Sequence, residues 1–477
     1  MIYDTKLKTP SVTKRKISIN SFLTKGSISS DEMLSNPADA SLLFNFDCSD
    51  GTLKSGIGIN EYLVNGSSVS FTNSEVFPIK VYYYKRFNNS LNINSDRLVV
   101  YASDKRLYYL TLGDSSTFKL ISSITFLNPP IAINYNFSDE DVLILSFEKE
   151  GLYVLNNLTL KKVETAPKIT SMCIHSERLF ATTSGEGTSL WFSDDFNPTN
   201  WSVSLDEAGY IELPDERGKL LKVVSFLDYV FVFRSYGISR IYAYGDQTEF
   251  SVDNLFNNIG KIYANTVTEC GGYIVFLTTS GLYRFNGIDT VKILPFYDKF
   301  LNGVENEDAK GVFYNGKLYL SLNMKFKLKT EKVVLVYDIE SKVPYIAKGL
   351  KIEDFELGTG KDYSVYAISN NKLCLIDNSG KRFLKPLKKT WESGESDFSI
   401  ETDKKKLDKV RLTTSEDLIF KVIVDNKTYI YNVTSGTSVL KLNLYGSTFK
   451  FKIISYSKKP KVLKPSFFFS YVKESLW

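Results

Sequence analysis

The chain has 477 residues, 43% of them apolar, 14% aromatic and 24% charged, a balance that belongs to folded globular protein and excludes disordered, collagenous and membrane-embedded classes. Its net charge of +5 is spread unevenly: residues 1–25 carry +5, residues 381–477 carry 20 basic against 10 acidic residues, and 26–380 sum to −10. That asymmetry suits docking one end on an acidic or phosphate-bearing partner, while a single histidine, His175, excludes His-dependent triads and His-rich metal sites.

Residues 1–40 are polar and basic and read as an extended N-terminal arm, with residues 1–35 expected to cross to a neighbouring subunit. From there the abundance of Phe, Tyr, Val, Ile and Thr favours half-buried strands. A unit recurs seven times: an acidic residue or Gly, a short apolar strand, a polar turn and a second apolar strand. The copies begin at Asp96, Asp141, Glu177, Asp228, Gly272, Gly316 and Ser364. Their second strands are marked by Leu107, Leu152, Leu190, Ile238, Leu282, Leu335 and Leu373, at steps of 45, 38, 48, 44, 53 and 38 residues. A period of about 40–45 residues with several strands per unit is the spacing of a β-propeller blade. One blade cannot bury both apolar faces, so neighbours must cover it and a closed ring protects the ends. The expected fold is therefore all-β, with a six- or seven-bladed propeller over 41–390.

Beyond Trp391 the strands lengthen, as in Leu418–Val424 and Thr428–Val433 around an Asp425-Asn426-Lys427 hairpin signal. Residues 391–477 are expected to form a separate C-terminal antiparallel β-sandwich. Here Lys404, Lys405, Lys406, Lys409 and Arg411 make a basic patch suited to docking a partner. Strand alternation favours a solvated lysine face with Phe451, Tyr456 and Phe467 in a core over a nucleic-acid stacking surface, so an acidic neighbouring subunit is the expected occupant ahead of DNA.

Several tempting motifs dissolve on inspection. Gly360-Lys361 lacks the upstream Gly of a phosphate loop, where Phe355 stands, and Asp362 replaces the Mg²⁺-binding Ser or Thr. Gly185-Glu186-Gly187 is a lone turn. Cys48, Cys173, Cys270 and Cys374 have no metal-ligand spacing, and no 18-residue apolar run exists to span a membrane. The carboxylates Asp194, Asp195, Glu305, Glu307 and Asp308 are too unspecific to define a glycosidase pair. No catalytic, metal or cofactor residue is expected.

Asn36-Pro37-Ala38-Asp39-Ala40, Leu43-Phe44-Asn45-Phe46-Asp47 and Gly51-Thr52-Leu53-Lys54-Ser55-Gly56 resemble the opening of bacteriophage tail and head–tail connector proteins. Leu190-Trp191-Phe192-Ser193-Asp194, Asn197-Pro198 and Trp201 resemble a strand-and-turn signature of the same propeller-like virion proteins, and the layout is similar to packaged-DNA stabilisation or tail-hub proteins of short-tailed phages. The resemblance implies a non-enzymatic homo-oligomeric ring, expected as a hexamer. It would be made in the host bacterial cytoplasm, carried in the virion tail, and would contact neighbouring tail or connector proteins and DNA in the channel. Ser193, Asp194, Asn197, Pro198 and Trp201 also resemble the Asp box of sialidase-type propellers, a turn-stabilising element. The alternative function is a tail propeller that binds or cleaves host-surface carbohydrate.

Overall fold

The computed structural model describes residues 12–22, 38–88, 93–184, 187–204, 207–257, 259–360, 363–400 and 404–472. Asn36 and Pro37, Gly185 and Glu186, Lys361 and Asp362, and the arm before Val12 lie outside them. The chain is nearly all β. It divides into two compact units, one of residues 60–334 with 351–376, the other of residues 1–59, 335–350 and 377–477. The expected boundaries at 40 and 390 are thus replaced by discontinuous ones.

The first of these, residues 60–334 with 351–376, is a β-propeller whose blade number falls within the expected six or seven. Its regular sheets are antiparallel meanders: Ile131–Phe137 through Thr159–Val163, Ile169–His175 through Gly209–Glu212, Leu220–Phe226 through Ser251–Asn257, and Thr268–Glu269 through Thr290–Ile293. Pro78–Tyr84, Arg97–Ala102, Leu107–Thr111 and Thr117–Leu120 form another such sheet, and Lys310–Tyr314 pairs with Lys317–Phe326. First strands approach one another between neighbouring sheets, as Ile169–His175 does Leu220–Phe226 and Lys310–Tyr314 does Ile352–Gly358, and Ile352–Gly358 closes the circle against Pro78–Tyr84.

Only the two inner, apolar strands of each blade stand out in the sequence; the polar outer strands, such as Thr159–Val163 with Thr159, Lys161 and Lys162 exposed, carry no such pattern. Two of the residues that open repeats, Glu177 and Asp228, sit in tight hairpin turns of a recurring kind. Ser138-Asp139, Ser176-Glu177, Leu227-Asp228 and Asn370-Asn371 are two-residue turns with both φ angles positive, flanked by the pairs Phe137↔Glu140, His175↔Arg178, Phe226↔Tyr229 and Ser369↔Lys372. Such turns match the right-handed twist of a hairpin, and Asn and Asp tolerate them best. Between blades the cover is apolar: Phe126 stacks on Phe147 with centroids 3.7 Å apart, and Phe233 meets Phe276 edge-on at 5.2 Å. Each such fully buried ring contributes about 1.5–3 kcal/mol relative to exposure.

The other unit holds two sheets. One orders Val12–Ser18, Ser466–Val472 and Lys405–Thr414, with Gly436–Gly446 also paired to Lys405–Thr414. The other runs Pro344–Ala347, Ala40–Phe44, Lys389–Ser393, Phe449–Ser455, Leu418–Val424 and Lys427–Val433. Phe451 and Phe467, one from each sheet, meet at 4.4 Å, and Phe398 packs on Phe467 and Phe469. The C-terminal strands therefore do not stand alone as a 391–477 domain, because their sheet edges are completed by N-terminal and 344–347 strands. For the described part of the arm the expectation of crossing to a neighbour is corrected: Val12–Ser18 pairs with Ser466–Val472 of its own chain in full register, while residues 1–11 and 23–35 lie outside the described residues. The hairpin at Asp425-Asn426 has both φ angles positive and pairs Val424 with Lys427.

Candidate functional site

The Ser193–Trp201 turn is held from within. Ser193 is fully buried; its Oγ accepts the Leu179 amide at 3.0 Å and lies 3.0 Å from the Asp194 carbonyl, to which it donates. Asp194 Oδ1 accepts the Asp195 amide, and Asn197 Oδ1 accepts both the amide and the hydroxyl of Thr199. Trp201, 1% exposed, donates its indole N–H to the Pro198 carbonyl at 2.9 Å. Beneath the turn Arg178, which the sequence reading did not single out, donates to the carbonyls of Ser193 and Glu207 and pairs with Asp195 at 2.6 Å. These bonds occupy the polar groups that a sugar or a metal would need. Phe196 is presented outward beside the exposed Asp195: it takes a φ of 54° and is 63% exposed, a left-handed conformation that costs a side-chain-bearing residue about 1–2 kcal/mol.

The basic patch changes membership. Lys405 points inward, is 2% exposed, and donates to the carbonyls of Asp397 and Ile400. It cannot dock a partner. Lys406, Lys409 and Arg411 stay on the outer face because a register shift between Leu407 and Lys409 restores the alternation that Asp408 would otherwise break. Lys404 is exposed just before the strand.

Cross-strand partners share a face, and the register adds cations that no local motif revealed. One row reads Lys16, Phe468, Lys409, Lys441; the next reads Lys14, Ser470, Lys406, Tyr445. The Phe468 ring lies 5.9 Å from the Lys16 ammonium and 4.7 Å from that of Lys409, and Lys406 lies 5.6 Å from the Tyr445 ring. Asp408 pairs with Lys406 at 3.4 Å. Lys14, Lys16, Lys409, Lys441 and Arg411 are exposed and have no carboxylate partner among the described residues. Several of these residues line one open groove with Val12 and Asn443.

A second charged cluster was missed because its members are far apart in sequence. Lys310 on Lys310–Tyr314 pairs with Asp354 at 3.0 Å and lies 3.7 Å from Glu356, both on Ile352–Gly358. Asp354, 1% exposed, also accepts the Val81 amide, and Glu356 accepts that of Tyr83. Burial pushes the Glu356 carboxyl up to about 7, Lys310 pulling against the shift and Asp354 adding to it. A carboxyl raised above its unfolded value binds its proton more tightly when folded, so the stability it contributes is present below about pH 4.5 and is lost as pH rises through about 7. Wild-type stability is expected to fall by about 1–3 kcal/mol across that window, and Glu356→Gln should flatten the fall while raising the melting temperature on the alkaline side. Thermal melts on either side of neutrality check this; parallel curves for the two proteins would reject it.

The remaining candidates are satisfied locally. His175 is 7% exposed with Nδ1 2.9 Å from Ser225 Oγ, and burial lowers its pKa. The four cysteines are free and buried, and desolvation pushes the Cys173 and Cys270 thiols up to about 12. Glu307 pairs with Lys261 and Asp308 with Lys332. Phe355 and Gly358 lie in a strand rather than a phosphate-binding turn, and a Cβ on Gly360 would collide with the Tyr83 hydroxyl and the Asp96 carboxylate. Among the described residues no group of three or more His, Cys, Asp or Glu side chains could hold a metal ion, and no helix is long and apolar enough to cross a membrane.

No protein-family model matches the sequence, and no curated protein does. Among solved structures the chain is similar to BBS1N in complex with ARL6DN, in crystals soaked with lead and with mercury. The lead-soaked structure matches at 12% identity and the mercury-soaked one at 11%, each with a TM-score of 0.41 over 63% of this chain, and over 91% and 92% of those chains respectively.

Proposed function

We propose that this chain is a structural virion protein, a ring-forming subunit of a phage tail or head–tail connector that extends the DNA channel and stabilises packaged DNA, and that it is not an enzyme. The observation that carries this reading is the outer face of the terminal sheet. Both ends of the chain combine there to present Lys14, Lys16, Lys409, Lys441 and Arg411 with Asp408 as the carboxylate among them. Such a face is built to meet negative charge over an area, as a subunit wedged among neighbours near DNA requires. The bonding within the Ser193–Trp201 turn agrees with an architectural part.

Mass spectrometry of purified particles from a producing culture, with the subunit located by density in cryo-micrographs, tests it. A fixed copy number on the tail axis is expected. Absence from particles, or release of reducing sugar by the purified chain together with glycan-array binding, would reject the reading in favour of a carbohydrate-directed one.

A further inference from the structure

The two compact units carry opposite charge. The unit formed by residues 1–59, 335–350 and 377–477 has 29 basic against 19 acidic residues, and the propeller unit has 30 against 35. Within the propeller unit, the carboxylates gather beside the Ser193–Trp201 turn. Asp194, Asp195 and Glu207 are tied together through Asn200 and Arg178. The adjoining segment, anchored by the Gln247 side chain donating to the Ser204 carbonyl, adds Asp246 and Glu249. Arg178 is the cation among them, and it is buried. Large apolar side chains stand exposed in the same stretches of chain: Phe196, Val203 at 60% and Tyr244 at 67%. The lysine face has matching ones in Val439 at 53% and Tyr445 at 69%. Charges of opposite sign on the two faces, with exposed apolar side chains beside them, are the ingredients of a protein–protein contact.

We propose that the lysine face of one copy docks on the carboxylate-rimmed Phe196 face of a second copy. This rests on the ring-subunit reading and names the surfaces that reading leaves open. Because the two faces differ, the contact is heterologous, and such contacts propagate head to tail into a closed ring or a filament. The left-handed conformation that exposes Phe196 has its use here, as the apolar anchor of the acidic face.

Sedimentation velocity on the full chain tests it. Wild type is expected to self-associate at low salt and to dissociate as salt rises, since screening weakens the rim charges. Reversal on the basic side (K16E with K409E and K441E) and reversal on the acidic side (E207K with E249K) should each raise the dissociation constant about 100-fold. All five positions are exposed, and circular dichroism confirms that the variants fold. An equimolar mixture of the two variants should associate again, because each then offers the sign that the other lacks. Wild type that stays monomeric at low salt, association that survives both reversals, or a monomer whose lysine face instead retains a labelled single-stranded oligonucleotide would each overturn the proposal. None of those results touches the presence of the chain in particles, which the mass spectra read independently.

Discussion

Replacing Lys310 with methionine is expected to destabilise the propeller by up to about 3 kcal/mol, the lower end for deleting the partner of a buried charge, since Asp354 is buried while the Lys310 side chain keeps 28% exposure. Asp354 is almost entirely inaccessible and would keep the Val81 amide as a bonding partner but lose its counter-ion. Glu356 would lose the nearby ammonium that pulls its pKa downward. The Phe355 carbonyl, which also accepts from Lys310, would be left dry. The loss should therefore grow as pH rises and Glu356 ionises, and shrink in acid. The double variant Lys310→Met with Asp354→Asn isolates the cause: an amide still accepts from Val81 and carries no charge, so it should recover a large part of the loss. Urea denaturation of the single and double variants, at acidic and alkaline pH, provides the comparison. A single variant within about 0.5 kcal/mol of wild type would show that the pair holds nothing together.

What the sequence made legible, and what it did not, follows from the range over which each interaction acts. The blades were legible because their inner strands are short apolar runs closed by two-residue turns, and Asn370-Asn371 announces such a turn by residue type, as Asp425-Asn426 does for a hairpin of the other unit. Leu227 and Ser176 occupy the same left-handed position without announcing it; packing and hairpin geometry impose the conformation there. The composition of the other unit was not legible, since it depends on pairings such as Ala40 with Ser393 and Phe44 with Ile346 that span hundreds of residues. The basic patch was half legible. A run of Lys404, Lys405 and Lys406 entering a strand must turn one lysine inward, and period-two alternation nominates Lys405. Lys14, Lys16 and Lys441 join the face through strand register alone. Buried cations escaped altogether. Lys389 is fully buried with its ammonium on the carbonyls of Gly380, Leu387 and Ser457, and desolvation lowers its pKa to about 8. Composition gives no hint of such a lysine, because only a folded cage of carbonyls makes it tolerable.

Arginine 234 is the same problem in its most exacting form, and Arg234→Met is expected to cost about 3–5 kcal/mol. The side chain has no solvent exposure. Its Nε and Nη2 both donate to the Gly218 carbonyl, at 3.0 and 2.8 Å, and Nη2 also donates to Leu213 at 2.7 Å. Nη1 pairs with Asp215 at 2.8 Å. Burial opposes ionisation of Asp215, yet the Arg217 amide and the two guanidinium groups hold it below the ordinary carboxylate range. One planar fork thus pins the whole Leu213–Gly218 connection between two blades. Methionine fills similar volume but leaves the Gly218 carbonyl without its donor, an unmet buried group costing about 1–3 kcal/mol, and takes away one of the two guanidinium groups at Asp215. Lysine would keep the charge and lose the fork, so Arg234→Lys should fall between, at about 1–3 kcal/mol. Because the Ser235 amide bonds to Lys219 and the Tyr236 amide to Arg217, the damage should start locally, with faster hydrogen exchange over 213–219 and proteolytic nicking there before global unfolding. Methionine and lysine variants that match wild type in both denaturation midpoint and local exchange would show that blade packing, not this arginine, sets the conformation of the connection.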